Sequence, residues 1–160
     1  MATPTSLPAT FVAGNVLTAA QMNDLRGAFR ILQVVRATDT TNRSTTSTSF
    51  VDANLSVSIT PTSTSSDILL IWVLYSAQSN YGYFQITDSG NTAIDGAEGI
   101  GAGSNSGVAT IYNSQIVIGY DSPATTSATT YKARFRVGAG TANIYNANNN
   151  GQLYALEVSA

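Results

Sequence analysis

The sequence predicts an all-β fold, an antiparallel jelly-roll sandwich preceded by an extended N-terminal arm and one short helix. Several segments alternate apolar and polar residues with a period of two, which indicates half-buried strands. Turn-forming residues separate these segments at the spacing typical of sandwiches. The predicted strands do not alternate with helical segments, which argues against a parallel sheet.

An extended arm is predicted at residues 1–15, where Pro4 and Pro8 interrupt a polar stretch without helical or strand periodicity. The start of the chain lacks the basic and apolar regions of a signal peptide, so we expect no such peptide. The longest near-continuous apolar run is Ile68 to Tyr75. A membrane-spanning helix needs about 20 residues, so we expect no membrane insertion.

The one predicted helix spans residues 19–28. Thr18 and Gln21 have the spacing of a capping box, and Met22 and Leu25 begin a narrow apolar stripe. So short a helix is marginal in isolation. We therefore expect it to pack either on its own domain or on a partner, and both alternatives stay open.

Strands are predicted throughout the rest of the chain, a head domain of residues 31–160 that follows the arm and helix of residues 1–30. Asp88 to Asn91 has the composition of a hairpin turn. The glycine-rich stretch from Asp95 to Gly107 is interpreted as a long surface loop. The main predicted strands lie near residues 31–36, 50–59, 68–75, 81–87, 108–119, 129–137, 141–145 and 153–158.

The predicted strand at residues 68–75 is apolar on both faces, although one face of a sandwich strand should meet water. Each large apolar side chain left exposed would forfeit about 1.5–3 kcal/mol relative to burial. We therefore expect a homo-oligomer with cyclic symmetry, and cover by the N-terminal helix is the alternative. The predicted interface residues are Leu69, Ile71, Val73 and Tyr75, and the apolar surplus extends to Ile116, Ile118, Leu156 and Val158.

The composition excludes several kinds of chemistry. The chain has 160 residues but no His and no Cys, which removes imidazole bases, thiol nucleophiles and the usual zinc ligands. Its 7 Lys and Arg against 9 Asp and Glu give a net charge of −2, which argues against nucleic-acid binding. We therefore expect no catalytic residue, no cofactor and no metal site.

The acidic residues are the remaining candidates for chemistry. Asp95 and Glu98 would be the pair of a carboxylate hydrolase, but two acids on one flexible loop keep no fixed separation. Asp88, Asn91 and Asp95 offer oxygen atoms to calcium but do not form an Asp-x-Asp-x-Asp-Gly loop. We expect solvated loop charges and a turn at these positions.

Two further patterns suggest ligand binding. Lys132, Arg134 and Arg136 place three positive charges on one strand face, which suits an acidic glycan or a phosphate. Such a face more often pairs with an acid on a neighbouring strand, and Glu157 is the predicted partner. Aromatic stacking on sugars is the second pattern, although tyrosine is also common in strands. The tyrosines concerned are Tyr81, Tyr83, Tyr112, Tyr120, Tyr145 and Tyr154.

The segment Thr10-Phe11-Val12-Ala13-Gly14-Asn15-Val16-Leu17-Thr18-Ala19-Ala20-Gln21-Met22-Asn23 resembles an N-terminal motif of tailed-bacteriophage appendage proteins. In that group a Phe, a Gly and then Val-Leu-Thr-Ala-x-x-(Leu/Met)-Asn precede a short helix. The resemblance implies attachment to phage tail or capsid proteins. The residues it implies for attachment are Phe11, Val12, Val16, Leu17, Met22 and Leu25.

The order of predicted strands is similar to that of the trimeric jelly-roll heads of the complement and tumour-necrosis-factor type. Both resemblances together imply a non-enzymatic, homotrimeric virion protein, anchored to the tail in preference to the capsid. A capsid decoration or head-fibre protein and a free carbohydrate-binding module are the alternatives. A host-surface role, with a surface glycan as ligand, would rest on the loop residues Asp95, Glu98, Asn148 and Asn149.

Overall fold

The computed structural model describes residues 14, 16, 18, 19, 31–101, 110–147 and 149–159. Ten β-strands account for most of these residues. The strands are β1 (Ile31–Asp39), β2 (Arg43–Thr45), β3 (Val51–Ile59), β4 (Asp67–Gln78), β5 (Gly82–Asp88), β6 (Ala93–Gly101), β7 (Ile111–Asp121), β8 (Thr129–Val137), β9 (Ala142–Ile144) and β10 (Gly151–Val158).

The strands form two antiparallel sheets. Sheet 1 has the order β1-β10-β4-β7, and the short strands β9 and β2 extend it from the part of β4 beyond β10. Sheet 2 has the order β3-β8-β5-β6. Successive long strands cross between the sheets except at the β5–β6 hairpin, and this order is that of a jelly roll. The predicted antiparallel sandwich is therefore confirmed.

The core lies between the two sheets and follows from the period-two pattern of the strands. Trp72 of sheet 1 packs edge to face on Phe84 of sheet 2, with ring centroids 5.8 Å apart and planes at 70°. This T-shaped contact is a favoured geometry for aromatic pairs and fixes the two sheets against each other. The inward set predicted for β4 is buried as expected and comprises Ile68, Leu70, Trp72 and Leu74.

Glu157 on β10 is a fully buried carboxylate that joins separate segments of the fold. It accepts hydrogen bonds from the Thr62 backbone N–H at 2.6 Å, the Thr62 hydroxyl at 2.7 Å and the Gln33 side-chain amide at 2.6 Å. Burial alone would raise the pKa of this carboxyl, but hydrogen bonds led by that of Gln33 lower the pKa below its ordinary value. The ionised carboxylate thus ties the β3–β4 connection to sheet 1.

The loop predicted from Asp95 to Gly107 is wrong in its first part, because Ala93–Gly101 form β6 at the edge of sheet 2. A Cβ atom at Gly99 would lie 3.1 Å from Val117 Cγ2. At Gly101 it would lie 2.1 Å from Gln115 Nε2. These glycines let the backbone approach the facing sheet instead of forming a turn. Residues 102–109 lie outside the described residues.

The predicted arm and the helix at 19–28 lie almost entirely outside the described residues, and both stay predictions. Val16, which is 90% exposed, is the one predicted attachment residue that the structure describes. In the described parts of the chain, no helix is long and apolar enough to cross a membrane. The other predicted attachment residues lie outside the described residues and are Phe11, Val12, Leu17, Met22 and Leu25.

Candidate functional site

The outer face of sheet 1 is largely apolar over four neighbouring strands, and its polar positions are Arg36, Thr38 and Gln152 on β1 and β10. Each strand alternates, so the residues between the core positions project together on this side. We call this surface the apolar face. The strand register arranges it in the rows Val34–Leu156–Leu69–Tyr120, Arg36–Tyr154–Ile71–Ile118 and Thr38–Gln152–Val73–Ile116.

Several large side chains of the apolar face are exposed in the described structure. Ile116 is 62% exposed, Ile118 54% and Val34 55%, and Val73 is 39% exposed. Single exposed apolar residues are normal on soluble proteins, whereas large contiguous apolar patches are typical of interaction sites. The predicted interface residues Leu69, Ile71, Val73 and Tyr75 all belong to this side of the sheet, and their cover by a partner stays a prediction.

Three tyrosines continue this surface beyond the end of β10. The ring centroids of Tyr75, Tyr112 and Tyr145 lie 5.9–6.2 Å from one another. Because these phenols lie together, burial, followed by the charge of Tyr112, raises the pKa of Tyr145 above its ordinary value. A depression of about 140 Å³ lies beside the cluster and is lined by Val73, Leu74, Tyr75, Ser114, Asn149 and Gly151.

The residues predicted for a receptor site do not come together. Asn149 lies beside Val73 and Tyr75, among the predicted interface residues of sheet 1. Asp95 and Glu98 are exposed on β6, in sheet 2 on the other side of the sandwich. Asn148 lies outside the described residues.

The outer face of sheet 2 carries the predicted row of positive charges. Arg134 Nε lies 2.9 Å from Asp52 Oδ1, and its Nη2 donates to the Phe50 carbonyl at 2.7 Å. Lys132 Nζ lies 3.9 Å from the second oxygen of Asp52. The predicted pairing with Glu157 is wrong, because β10 belongs to sheet 1 and Glu157 is buried there. The pairing of β3 with β8 brings Asp52 opposite Arg134 instead.

Arg136 is placed differently from the other two cations of β8. Its guanidinium carbon lies 3.7 Å from the ring centroid of Tyr83 and 5.2 Å from that of Phe50. Tyr83 is its cross-strand neighbour on β5, and Ile100 of β6 follows in the same row. The side chain is therefore fixed by two aromatic rings through cation–π contacts.

The described surface therefore offers partners two regions, the apolar face of sheet 1 and the cationic, aromatic face of sheet 2. The apolar face suits a large, dry protein contact because charged side chains are nearly absent from its rows. The second region suits an anionic ligand because it presents guanidinium and ammonium groups on an open strand face. No protein-family model matches this chain, and no curated protein matches it.

Proposed function

We propose that this chain is a non-enzymatic structural protein of a phage particle, which forms a homotrimer through the apolar face and attaches to the particle through residues 1–30. The apolar face is the observation that carries the assembly. The resemblance of the segment around Phe11 and Leu17 to the phage appendage motif supports the particle. The tail is the favoured location, and the capsid is the alternative.

A second copy of the chain is the partner that the apolar face fits best. Homomeric interfaces are more apolar than transient ones, and this face has one charged residue, Arg36, in its three rows. Each Å² of apolar surface removed from water contributes about 25 cal/mol of favourable free energy. Association of two such faces is therefore stabilised by the burial of the apolar side chains that are exposed in a single chain. A closed cyclic assembly covers the face on every copy at once.

The course of the chain supports an attachment at one end of the sandwich. Ile31 begins β1, pairs with Val158 and lies near Asp67, where β4 begins. The N-terminal segment therefore leaves the head at this end of sheet 1. Tyr75 and Tyr145 lie near the opposite end of β4. If the N-terminal segment attaches the chain to the particle, this opposite end of the head projects away from the particle.

Analytical ultracentrifugation of the full chain tests the trimer. We expect a sedimenting mass about three times the 16.7 kDa of one chain. A chain lacking residues 1–30 should also sediment as a trimer, at three times its own smaller mass, because the apolar face lies outside the deleted segment. A monomeric full chain would contradict the proposed trimer. It would favour the alternative that the N-terminal helix covers the apolar face. A trimer that is lost with residues 1–30 would contradict assembly through the face.

Mass spectrometry of particles from a lysate of the encoding phage tests the attachment. We expect the chain to purify with the particles and the full-length Phe11→Asp, Leu17→Asp variant to be depleted from them. Both positions lie in the attachment motif, and a buried aspartate would oppose docking. Recovery of the unaltered chain only among free proteins would overturn the particle role.

A free carbohydrate-binding module is the second candidate, and the cluster of Tyr75, Tyr112 and Tyr145 favours it. Aromatic rings beside amide and hydroxyl groups suit a sugar, and Ser114 and Asn149 line the adjoining depression. This function requires an accessible cluster, whereas the trimer places the cluster near the subunit contact. A monomeric chain whose binding to a glycan array is abolished by Tyr112→Ala would support the module and contradict our proposal.

A further inference from the structure

Arg136 is a half-buried cation for which the described residues supply no anion. Of the nine acidic residues, all but Asp24 lie in the described parts of the chain. The ion pairs found there join Arg43 to Asp39, and Lys132 and Arg134 to Asp52. None of these described carboxylates lies within 4.0 Å of the Arg136 guanidinium.

The environment of Arg136 also fixes the orientation of the guanidinium. The guanidinium carbon lies 3.7 Å from the ring centroid of Tyr83 and 5.2 Å from that of Phe50. These cation–π contacts do not use the N–H donors in directed hydrogen bonds, as contacts with an oxygen atom would. Stacking leaves the edge of a guanidinium, where its N–H donors lie, available for a bidentate contact with an oxyanion. The usual entropy cost of ordering an arginine side chain is reduced because the rings already order it.

The surrounding surface favours a polymeric ligand over a single small ion. Arg136, Arg134 and Lys132 alternate along β8, so successive cations are roughly 6.6 Å apart along an open strand face. Ile100, which is 67% exposed, adds an apolar contact in the row of Tyr83. The nearby acids Asp52 and Glu98 oppose a densely charged polymer such as a nucleic acid.

We propose that Arg136, held between Tyr83 and Phe50, binds the oxyanion groups of an acidic polysaccharide on the outer face of sheet 2. The oxyanion is a carboxylate or a sulfate, since both accept two parallel hydrogen bonds from one guanidinium. The biological setting of this inference, contact with a host surface, rests on the proposed virion role. The chemistry of the site does not depend on that role. The site lies on the sheet opposite the apolar face and stays accessible in the trimer.

Binding of the purified full chain to three polysaccharides tests this site. The probes are polygalacturonate for carboxylates, a dextran sulfate of low sulfate content for sulfates and unmodified dextran as the neutral reference, measured by biolayer interferometry at low and high salt. We expect binding to at least one acidic polymer, none to dextran, and weakening by salt. The acidic polymer that binds identifies the preferred oxyanion.

Variants of β8 distinguish the site from a general positive charge. Arg136→Gln should weaken binding by about tenfold or more, because it removes charge-assisted hydrogen bonds. Lys132→Gln is the matched control, since it removes one charge from the same strand face, and should weaken binding by less than about threefold. Arg136→Lys keeps the charge without the planar fork, and should bind more like Arg136→Gln than like the unaltered chain.

Three results would overturn the proposal: no binding of either acidic polymer, equal losses in both glutamine variants, or full binding by Arg136→Lys. Circular dichroism establishes that each variant is folded, and if Arg136→Gln does not fold, Arg136→Lys and Lys132→Gln decide the question. Arg136→Gln should still form trimers and join particles. Loss of polysaccharide binding and loss of particle assembly are therefore separate failures with separate readouts.

Discussion

Val73 of β4 lies directly opposite Ile116 of β7, and both side chains face away from the core, 39% and 62% exposed. Ile71 and Ile118 form the next outward pair along the same two strands. The apolar face is thus built from paired positions on adjacent strands, with β7 at the edge of sheet 1, and not from a loop. Another copy of the same sheet would present side chains at the same regular strand spacing.

A charge placed in the apolar face should separate the subunits. Ile118→Glu would bury a carboxylate in the proposed trimer contact, which is unfavourable without a paired cation. Position 118 is 54% exposed within one chain, so we expect the variant to fold and to sediment as a monomer. Ser58→Glu is the control, because Ser58 is exposed on the outer face of sheet 2. An Ile118→Glu variant that keeps the trimeric mass would show that the contact lies elsewhere.

Removal of the charge at Glu157 should destabilise the head. In Glu157→Gln an amide replaces one of the oxygens that accept hydrogen bonds from Thr62 and Gln33, and leaves a buried donor unsatisfied. We expect the free energy of unfolding to fall by about 1–3 kcal/mol in urea denaturation. Glu98→Gln, the same change at an exposed position, should have an effect near zero. Equal effects of the two changes would contradict the structural role of Glu157.

The same carboxylate should contribute to acid sensitivity. The pKa of Glu157 is lower in the folded chain than the ordinary value of 4.5, so the folded state favours the ionised form. Its contribution to stability is therefore complete above about pH 4.5 and is lost as the pH falls through the folded pKa. Denaturation midpoints should fall more steeply in acid for the unaltered chain than for Glu157→Gln. Parallel pH profiles would contradict this linkage.

The strand positions could be predicted because they depend on local alternation. Residues 129–137 alternate without interruption, and β8 has the same bounds in the structure. The β6 strand was not predictable in this way, since the glycines of that stretch are typical of loops. The glycines are needed because the backbone at Gly99 lies close to Val117 of the facing sheet. A local sequence pattern carries no information about which residue lies on the facing sheet.

The partners of the charged residues were even less accessible from the sequence. Arg134 pairs with Asp52 across 82 positions of the chain, and only the β3–β8 register brings them together. The sequence predicted Glu157 as the partner of these cations because it lies on a strand, but that strand, β10, belongs to the other sheet. The outward apolar residues of β4 could be predicted from the sequence. That they continue onto β7 and β10 follows only from the order of the strands in the sheet, which the sequence pattern does not give.

Crowding between the sheets should make Gly119 intolerant of any side chain. A Cβ atom at this position of β7 would lie 2.5 Å from the Ala97 Cβ and 3.4 Å from the Ile94 Cγ2. Gly119→Ala should force β6 and β7 apart and lower the unfolding free energy by about 1–3 kcal/mol, measured by thermal or urea denaturation. Ser114→Ala, at an exposed position of the same strand, is the control and should change stability little. Unchanged stability of Gly119→Ala would mean that β6 moves away from β7 without cost.

Neutralising Asp52 should strengthen the binding of acidic polysaccharide while hardly changing stability. Asp52 is the carboxylate that pairs with Arg134 and lies 3.9 Å from Lys132, and its side chain is 47% exposed. Exposed ion pairs contribute about 1 kcal/mol or less, so we expect Asp52→Asn to stay folded. The freed cations should raise affinity for the bound polymer by roughly two- to fivefold at low salt, measured by biolayer interferometry. Asp95→Asn makes the same change in net charge on β6 and should raise it less. An equal gain in both variants would indicate that net charge alone governs binding, and not the groups along β8.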